Sequence, residues 1–306
     1  MVATEDTNPT TELALSYYKS GYTLYKQKVF KIAAHCFEKA LELSSSLDLN
    51  LVVDIHYYLI MALLRSDNLE RAEQIFKEVQ QRESFKDTHN FYQLQSEIEN
   101  KHKGYKFTHD WINKNIKIWN KYLHQFINQP IKALEVGSWE GRSTCWLLDK
   151  VLTNEMARIT CVDTFEGCYD LKLLFFKQNL YYLDDSYFRA RESKFDFNIK
   201  QSGAAYKVEK IVGNSHQVLP ALPPLSYDLA YIDGSHLASD VLLDAELTWR
   251  LLKLGGIIIF DDYDMTFDEN PSQNTCIGID TFLNCYSERI EIIHKSHQVI
   301  IKKSSE

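Results

Sequence analysis

Leu134-Glu135-Val136-Gly137-Ser138-Trp139-Glu140-Gly141-Arg142-Ser143 is the stretch that decides the fold. A β-prone segment ends at Val136, two glycines supply a tight turn, and a helix-compatible segment follows, so the chain turns from strand into helix here. In a dinucleotide site the pattern would be GxGxxG, whose middle glycine lets the backbone approach a pyrophosphate. Trp139 occupies that place, and a bulky indole there disfavours NAD or FAD.

Outward from this turn the sequence alternates β and α segments. Strands are expected at 131–136, 157–162, 207–212, 226–232 and 255–260, with helices between them. The near-continuous apolar runs Tyr227–Ile232 and Gly256–Phe260 suit strands buried on both faces of a parallel sheet. A helix near 278–286 and strands at 290–294 and 298–301 follow, the last two forming an antiparallel hairpin that ends the sheet. The expected fold class is α/β, a Rossmann-like and mostly parallel sheet, preceded by an all-α domain.

That all-α domain spans residues 12–103, which contain no proline and one glycine; glycine and proline punctuation returns from Gly104 onward. Residues 1–11 are polar and expected to be disordered. Tyr17, Gly21, Leu24, Ala33, Phe37 and Ala40 resemble the packing positions of a tetratricopeptide repeat, although Ser20 stands where leucine is usual. A second copy places Ile60, Leu63, Ala72, Phe76 and Val79 correspondingly, and a helix over 86–101 caps the stack with Phe91, Leu94 and Ile98. Such a module offers a surface for a protein partner or for self-association, or else is a helical appendage. Residues 104–306 form the second domain, which an amphipathic helix over 110–129 covers at its edge, burying Trp111 and Trp119.

The 306 residues suffice for two hydrophobic cores. A net charge of −8 provides no basic surplus for nonspecific nucleic-acid binding. The six cysteines form no CxxC pair and no zinc-finger spacing, which suits reduced thiols in a cytoplasmic protein. No secretion signal opens the chain and no apolar run is long enough to cross a bilayer, so no membrane association is expected.

The GxxxG turn after an acidic residue resembles the first motif of class I methyltransferases. The resemblance implies S-adenosylmethionine as cofactor, held by Glu135, Gly137, Ser138, Gly141, Ser143 and Asp233, with Glu135 near the methionine amino group. Asp163 and Thr164 end the next strand and would hold the ribose hydroxyls; Gly213, Asn214 and Ser215 would lie beside the adenine. His216 is expected as a solvated helix residue, and Val218, Leu219 and Leu222 as core.

Tyr227-Asp228-Leu229-Ala230-Tyr231-Ile232-Asp233-Gly234-Ser235-His236 and Leu254-Gly255-Gly256-Ile257-Ile258-Ile259-Phe260-Asp261-Asp262-Tyr263 carry a closer likeness. Together with Phe195–Ile199, Asp240, Asp244 and Gln298 they resemble the macrocin O-methyltransferase family over residues 131–302. Family aside, Asp233 and the Asp261/Asp262 pair end strands expected to be neighbours, at the edge where open α/β sheets bind ligands. Three converging carboxylates repel one another unless a cation joins them, and an all-oxygen set suits Mg²⁺. The resemblance implies the same metal ligands.

A metal on a hydroxyl oxygen lowers its pKa, after which Asp233 or His236 takes the proton. Asp240 and Asp244, four apart on the next helix, are expected as solvated or capping carboxylates. Residues 165–193, with Tyr181, Tyr182, Asp184, Asp185, Tyr187 and Phe188, are expected to form a lid over a small-molecule acceptor, a sugar or a phenol. The expected activity is therefore metal-dependent O-methylation. The alternatives are a docking protein that binds cofactor weakly or not at all, and a hydroxylase, for which the sequence displays no histidine and carboxylate triad.

Overall fold

Pro9, whose missing N–H costs nothing in a first helical turn, opens the first helix in the computed structural model, which describes residues 9–86, 88–109, 111–167, 185–267 and 270–305. Pro9–Thr11 are thus helical rather than disordered. The chain divides into two units, one reaching Gly104 and including Asn113–Ile118, the other formed by Tyr105–Ile112 and Trp119–Glu306.

The first unit is helical. It contains α1 (Pro9–Lys26), α2 (Phe30–Glu42), α3 (Leu49–Arg65), α4 (Leu69–Val79) and α5 (His89–Lys103). Side-chain oxygens of Asp48, Asn68 and Thr88 accept backbone N–H groups at the starts of α3, α4 and α5. The Thr88 cap explains why α5 begins at His89, three residues later than the pattern suggests. Gly104, at φ 71°, closes α5 in the left-handed conformation.

Ala33, Phe37, Ala40, Ile60, Leu63, Ala72, Phe76, Val79, Leu94 and Ile98 all lie in one buried core, with Tyr17, Leu24 and Phe91 packed against it. Gly21 permits the close approach of α1 and α2, because a Cβ there would lie 2.8 Å from the Phe37 ring. Glu97 is buried and accepts hydrogen bonds from Arg65 and Asn113 within this unit.

The continuous helix expected over 110–129 is broken. A 3₁₀ turn at Asn113–Asn115, α6 (Ile116–Tyr122) and a second 3₁₀ turn at His124–Phe126 replace it. One amphipathic stripe faces one core, whereas here Asn113–Ile118 belong to the first unit and the residues on both sides of them to the second. Trp119 is fully buried, but Trp111 is 47% exposed and stacked on His109, so its core assignment fails.

The second unit holds a seven-stranded sheet in the order β3-β2-β1-β4-β5-β7-β6. Its strands are β1 (Lys132–Val136), β2 (Arg158–Asp163), β3 (Val208–Val212), β4 (Tyr227–Ile232), β5 (Leu252–Phe260), β6 (Ile290–Lys295) and β7 (Val299–Lys303). The first five pair in parallel, and β7 pairs antiparallel with both β5 and β6. With these strands go helices α7 (Arg142–Lys150), α8 (Asp185–Gln201), α9 (Ser215–Val218), α10 (Ala238–Leu251) and α11 (Thr275–Cys285), and 3₁₀ turns at Ala205–Lys207, Leu219–Ala221 and Pro271–Gln273.

β4 is buried nearly end to end and β5 from Gly256 onward, where the apolar runs lie. β5 starts three residues before the expected Gly255, directly from α10, and its pairing with β4 shifts register between Tyr227 and Leu229. The strand order reverses between β1 and β4, which opens a crevice outside their carboxyl ends. Most of the expected lid, including Tyr181, Tyr182 and Asp184, lies outside the described residues.

Candidate active site

Six chain segments, the tips of the five parallel strands and the turn between β6 and β7, deliver side chains to that crevice, and the sheet ladder extends into it. Gly137 N–H donates to Val162 O, Gly213 N–H to Asp163 O, Asp233 N–H to Val136 O and Asp261 N–H to Ile232 O, at 2.8–3.1 Å. Each tip is therefore pinned to its neighbour beyond the last strand residue. Gly137 has φ 84°, and a Cβ on it would lie 2.0 Å from the Asp233 carbonyl oxygen. Trp139, Phe165 and Asp262 also adopt positive φ, at 49°, 54° and 50°, each just past a strand end. Such strain collects where a fold builds a site.

On the glycine-turn side, Asp163 is the organising group. One carboxylate oxygen accepts the N–H groups of Ser138 and Trp139 at 2.7 and 2.8 Å, and the other accepts that of Phe165 at 2.6 Å. A carboxylate has about four acceptor positions, so these three bonds leave room for one further donor. Glu135 is fully buried; the Ser143 and Thr144 hydroxyls and the Cys161 thiol donate to it. Burial pushes its pKa up, and the hydroxyl bonds pull it partly back. Glu135 and Ser143 thus bind each other beneath the turn. Gly141, at φ 78°, precedes α7, and a Cβ on it would press on Phe195.

Asn214 caps α9 by accepting the His216 N–H at 2.9 Å, and the Thr164 hydroxyl accepts the Glu166 N–H at 3.3 Å. Ser215 and His216 both face Asp244, the latter with Nε2 3.5 Å from the carboxylate. Asp244 is 1% exposed, which corrects its assignment as a solvated or capping residue. It points under Gly234 instead of outward, and burial raises its pKa to about 6. Asp240, in the first turn of α10, accepts the Ser235 hydroxyl at 2.7 Å and does not cap the helix.

On the acidic side, Asp233, Asp261 and Asp262 converge. Tyr231 on β4 donates to Asp233 at 2.8 Å and also to Asp261. Burial, reinforced by both carboxylates, holds the phenol well above its usual pKa, so it remains a donor. Asp233 is pushed up to about 7 by burial and by the charges of Asp261 and Asp262, while His236 acts in the opposite sense. His236 Nε2 lies 3.0 Å from Asp262 and 3.7 Å from Asp233.

His297, from the turn between β6 and β7, places Nε2 3.0 Å from the other oxygen of Asp262 and 3.4 Å from Asp261. Ligand atoms of Asp233, His236 and Asp262 lie within 4.8 Å of one another, as do those of Asp261, Asp262 and His297. Two carboxylate-rich triads sharing Asp262 fit a divalent cation chemically, because the cation would relieve the repulsion that raises Asp233.

Sequence reading missed several contributors. Tyr231 was legible, since two residues before Asp233 on a strand means the same face. His297 was half legible: an antiparallel closing hairpin returns its turn to the carboxyl ends, and Val299 pairs with Phe260. The structure sets two imidazoles beside Asp262, a histidine and carboxylate grouping that the sequence does not display because 61 residues separate His236 from His297. Trp119 supports the floor, packing edge-on against Tyr231 and donating to the buried Gln298 at 2.8 Å. Finally, buried Glu140 binds Thr108 and Arg191, and Arg191 also covers the Trp139 ring at 5.0 Å. No local pattern announces that network.

Residues 134–263 match the family model of a methyltransferase domain. No curated protein matches the sequence. Among solved structures, an O-methyltransferase from Bacillus cereus in complex with SAH is 16% identical, covering 77% of this chain and 99% of its own, with a TM-score of 0.45. The O-methyltransferase TomG from Streptomyces achromogenes, involved in tomaymycin synthesis and solved with SAM, is 15% identical over 62% of this chain and 81% of its own, with a TM-score of 0.43. A protein from Corynebacterium glutamicum is 13% identical over 78% and 97%, with a TM-score of 0.46. The second unit has a Rossmann-like, mostly parallel sheet that contains the residues matching that model, and among the described residues no helix is long and apolar enough to cross a membrane.

Proposed function

We propose that this chain transfers a methyl group from S-adenosylmethionine to a hydroxyl of a small molecule, of sugar or phenolic type, with a divalent metal at the acidic tips. The observation that carries the reading is the meeting of Asp233, Asp261, Asp262 and His236 beside the Gly137 turn. A cofactor in the crevice would lie between Asp163, for the ribose, and the acidic tips, for the acceptor.

Asp233, Asp261 and Asp262 would hold the metal, which supplies Lewis acidity to an acceptor oxygen. Tyr231 orients two of these carboxylates from below. The acceptor oxygen forms the new bond to the methyl carbon, the carbon–sulfur bond breaks with its electron pair going to sulfur, and the acceptor proton passes to Asp233 or His236. Holding both reactants in line provides much of the rate. The helical unit, on this reading, is a tetratricopeptide-like module for a protein partner or a second copy.

Titration calorimetry with S-adenosylmethionine tests the proposal against a docking role. Binding in the micromolar range is expected. No heat at millimolar ligand would remove the enzymatic reading and leave the helical unit as the working part.

A further inference from the structure

Asp262 stands between two imidazoles, and the second is supported from behind. His297 Nδ1 bonds to the Asp264 carboxylate, while Nε2 on the far side of the same ring faces Asp261 and Asp262. A metal-bound histidine characteristically has this arrangement, one nitrogen on the ion and the other donating to a carboxylate that fixes the tautomer. The turn carrying His297 is itself fastened. Its carbonyl accepts the Tyr263 N–H at 2.8 Å, and the next residue, Gln298, is fully buried against Trp119.

We infer that His297, oriented by Asp264, is a ligand of the divalent cation, and that the site therefore prefers an imidazole-accepting transition metal such as Mn²⁺ or Co²⁺ over Mg²⁺. The inference rests on the metal reading of the acidic tips and changes its chemistry. Mg²⁺ is a hard ion that takes oxygen ligands and gains little from a nitrogen donor. Later first-row ions bind imidazole progressively better, so one nitrogen among the carboxylates tilts selectivity toward them. The rival role for His297 is that of a cation that neutralises Asp261 and Asp262, which would leave metal preference unaltered by its removal.

The test is titration of metal-stripped full-length protein with MgCl₂, MnCl₂ and CoCl₂ separately, followed by calorimetry and, for Co²⁺, by visible absorption. Wild type is expected to bind Mn²⁺ at least about tenfold tighter than Mg²⁺. His297→Ala should lose that preference and shift the Co²⁺ band while its Mg²⁺ affinity stays within about threefold; Asp264→Asn should weaken Mn²⁺ binding about tenfold. Circular dichroism and S-adenosylmethionine affinity serve as fold controls, and should His297→Ala misfold, His297→Gln and the wild-type Mn²⁺/Mg²⁺ ratio still decide. Equal preference in wild type and variant, with Mg²⁺ bound, would overturn the ligand role of His297 alone. Failure of wild type to bind any of the three ions would overturn this inference and the metal reading together.

Discussion

Gly137 and Asp233 are in backbone contact: the site of a missing Cβ on the first lies 2.0 Å from the carbonyl oxygen of the second. The turn at the tip of β1 is thereby locked to the tip of β4, and the two halves of the proposed site share one wall. Gly137→Ala adds a methyl group to that contact at φ 84°. Left-handed strain alone costs about 1–2 kcal/mol for a residue with a Cβ, and the overlap adds to it. Thermal denaturation should show a clear loss of stability, and calorimetry a loss of S-adenosylmethionine binding. An alanine variant with wild-type values for both would refute the contact.

Asp163 holds three backbone N–H groups and is the residue proposed to take the ribose hydroxyls. Asp163→Ala should weaken S-adenosylmethionine binding by at least about tenfold, since each orphaned donor costs about 1–3 kcal/mol. An unchanged dissociation constant would take Asp163 out of the cofactor site.

Asp261→Ala and Asp262→Ala separate the two halves functionally. Turnover should fall at least about a hundredfold while cofactor affinity stays within about threefold, because the proposed place of these groups is on the acceptor side. A matching fall in cofactor affinity would place them elsewhere.

The buried Asp244 gives a pH-dependent stability whose sign is fixed. Its folded pKa is raised to about 6, so the folded state keeps a proton that the unfolded chain releases near 3.8. Its contribution is full below pH 4 and is lost as pH rises through 6. Asp244→Asn, which stays neutral, should therefore be more stable than wild type at pH 7.5, by an amount on the order of 2 kcal/mol. That advantage should vanish at pH 4, and urea denaturation at both values measures it.

In the helical unit, Gly21→Val should destabilise by about 1–3 kcal/mol through overlap with the Phe37 ring, an overpacking effect. Calorimetric unfolding that left this unit unchanged would contradict the close approach of α1 and α2.

The amino-acid sequence by itself determined the alternation of strands and helices, the closing hairpin, and the strand-end positions of Asp163, Asp233, Asp261 and Asp262. These follow from local period and from where polar residues terminate apolar runs. It did not determine that Asp244 turns inward, that Trp111 turns outward, or that the expected helix over 110–129 is a short α6 between two 3₁₀ turns. Nor did it bring His236 and His297 to opposite sides of Asp262, or Tyr231 beneath two carboxylates. Those relations depend on strand order: β4 lies beside β5, and β7 returns antiparallel along it. Hydrogen bonding across a sheet joins residues that no spacing along the chain connects, so the chemistry between strand tips was decided by the tertiary structure alone.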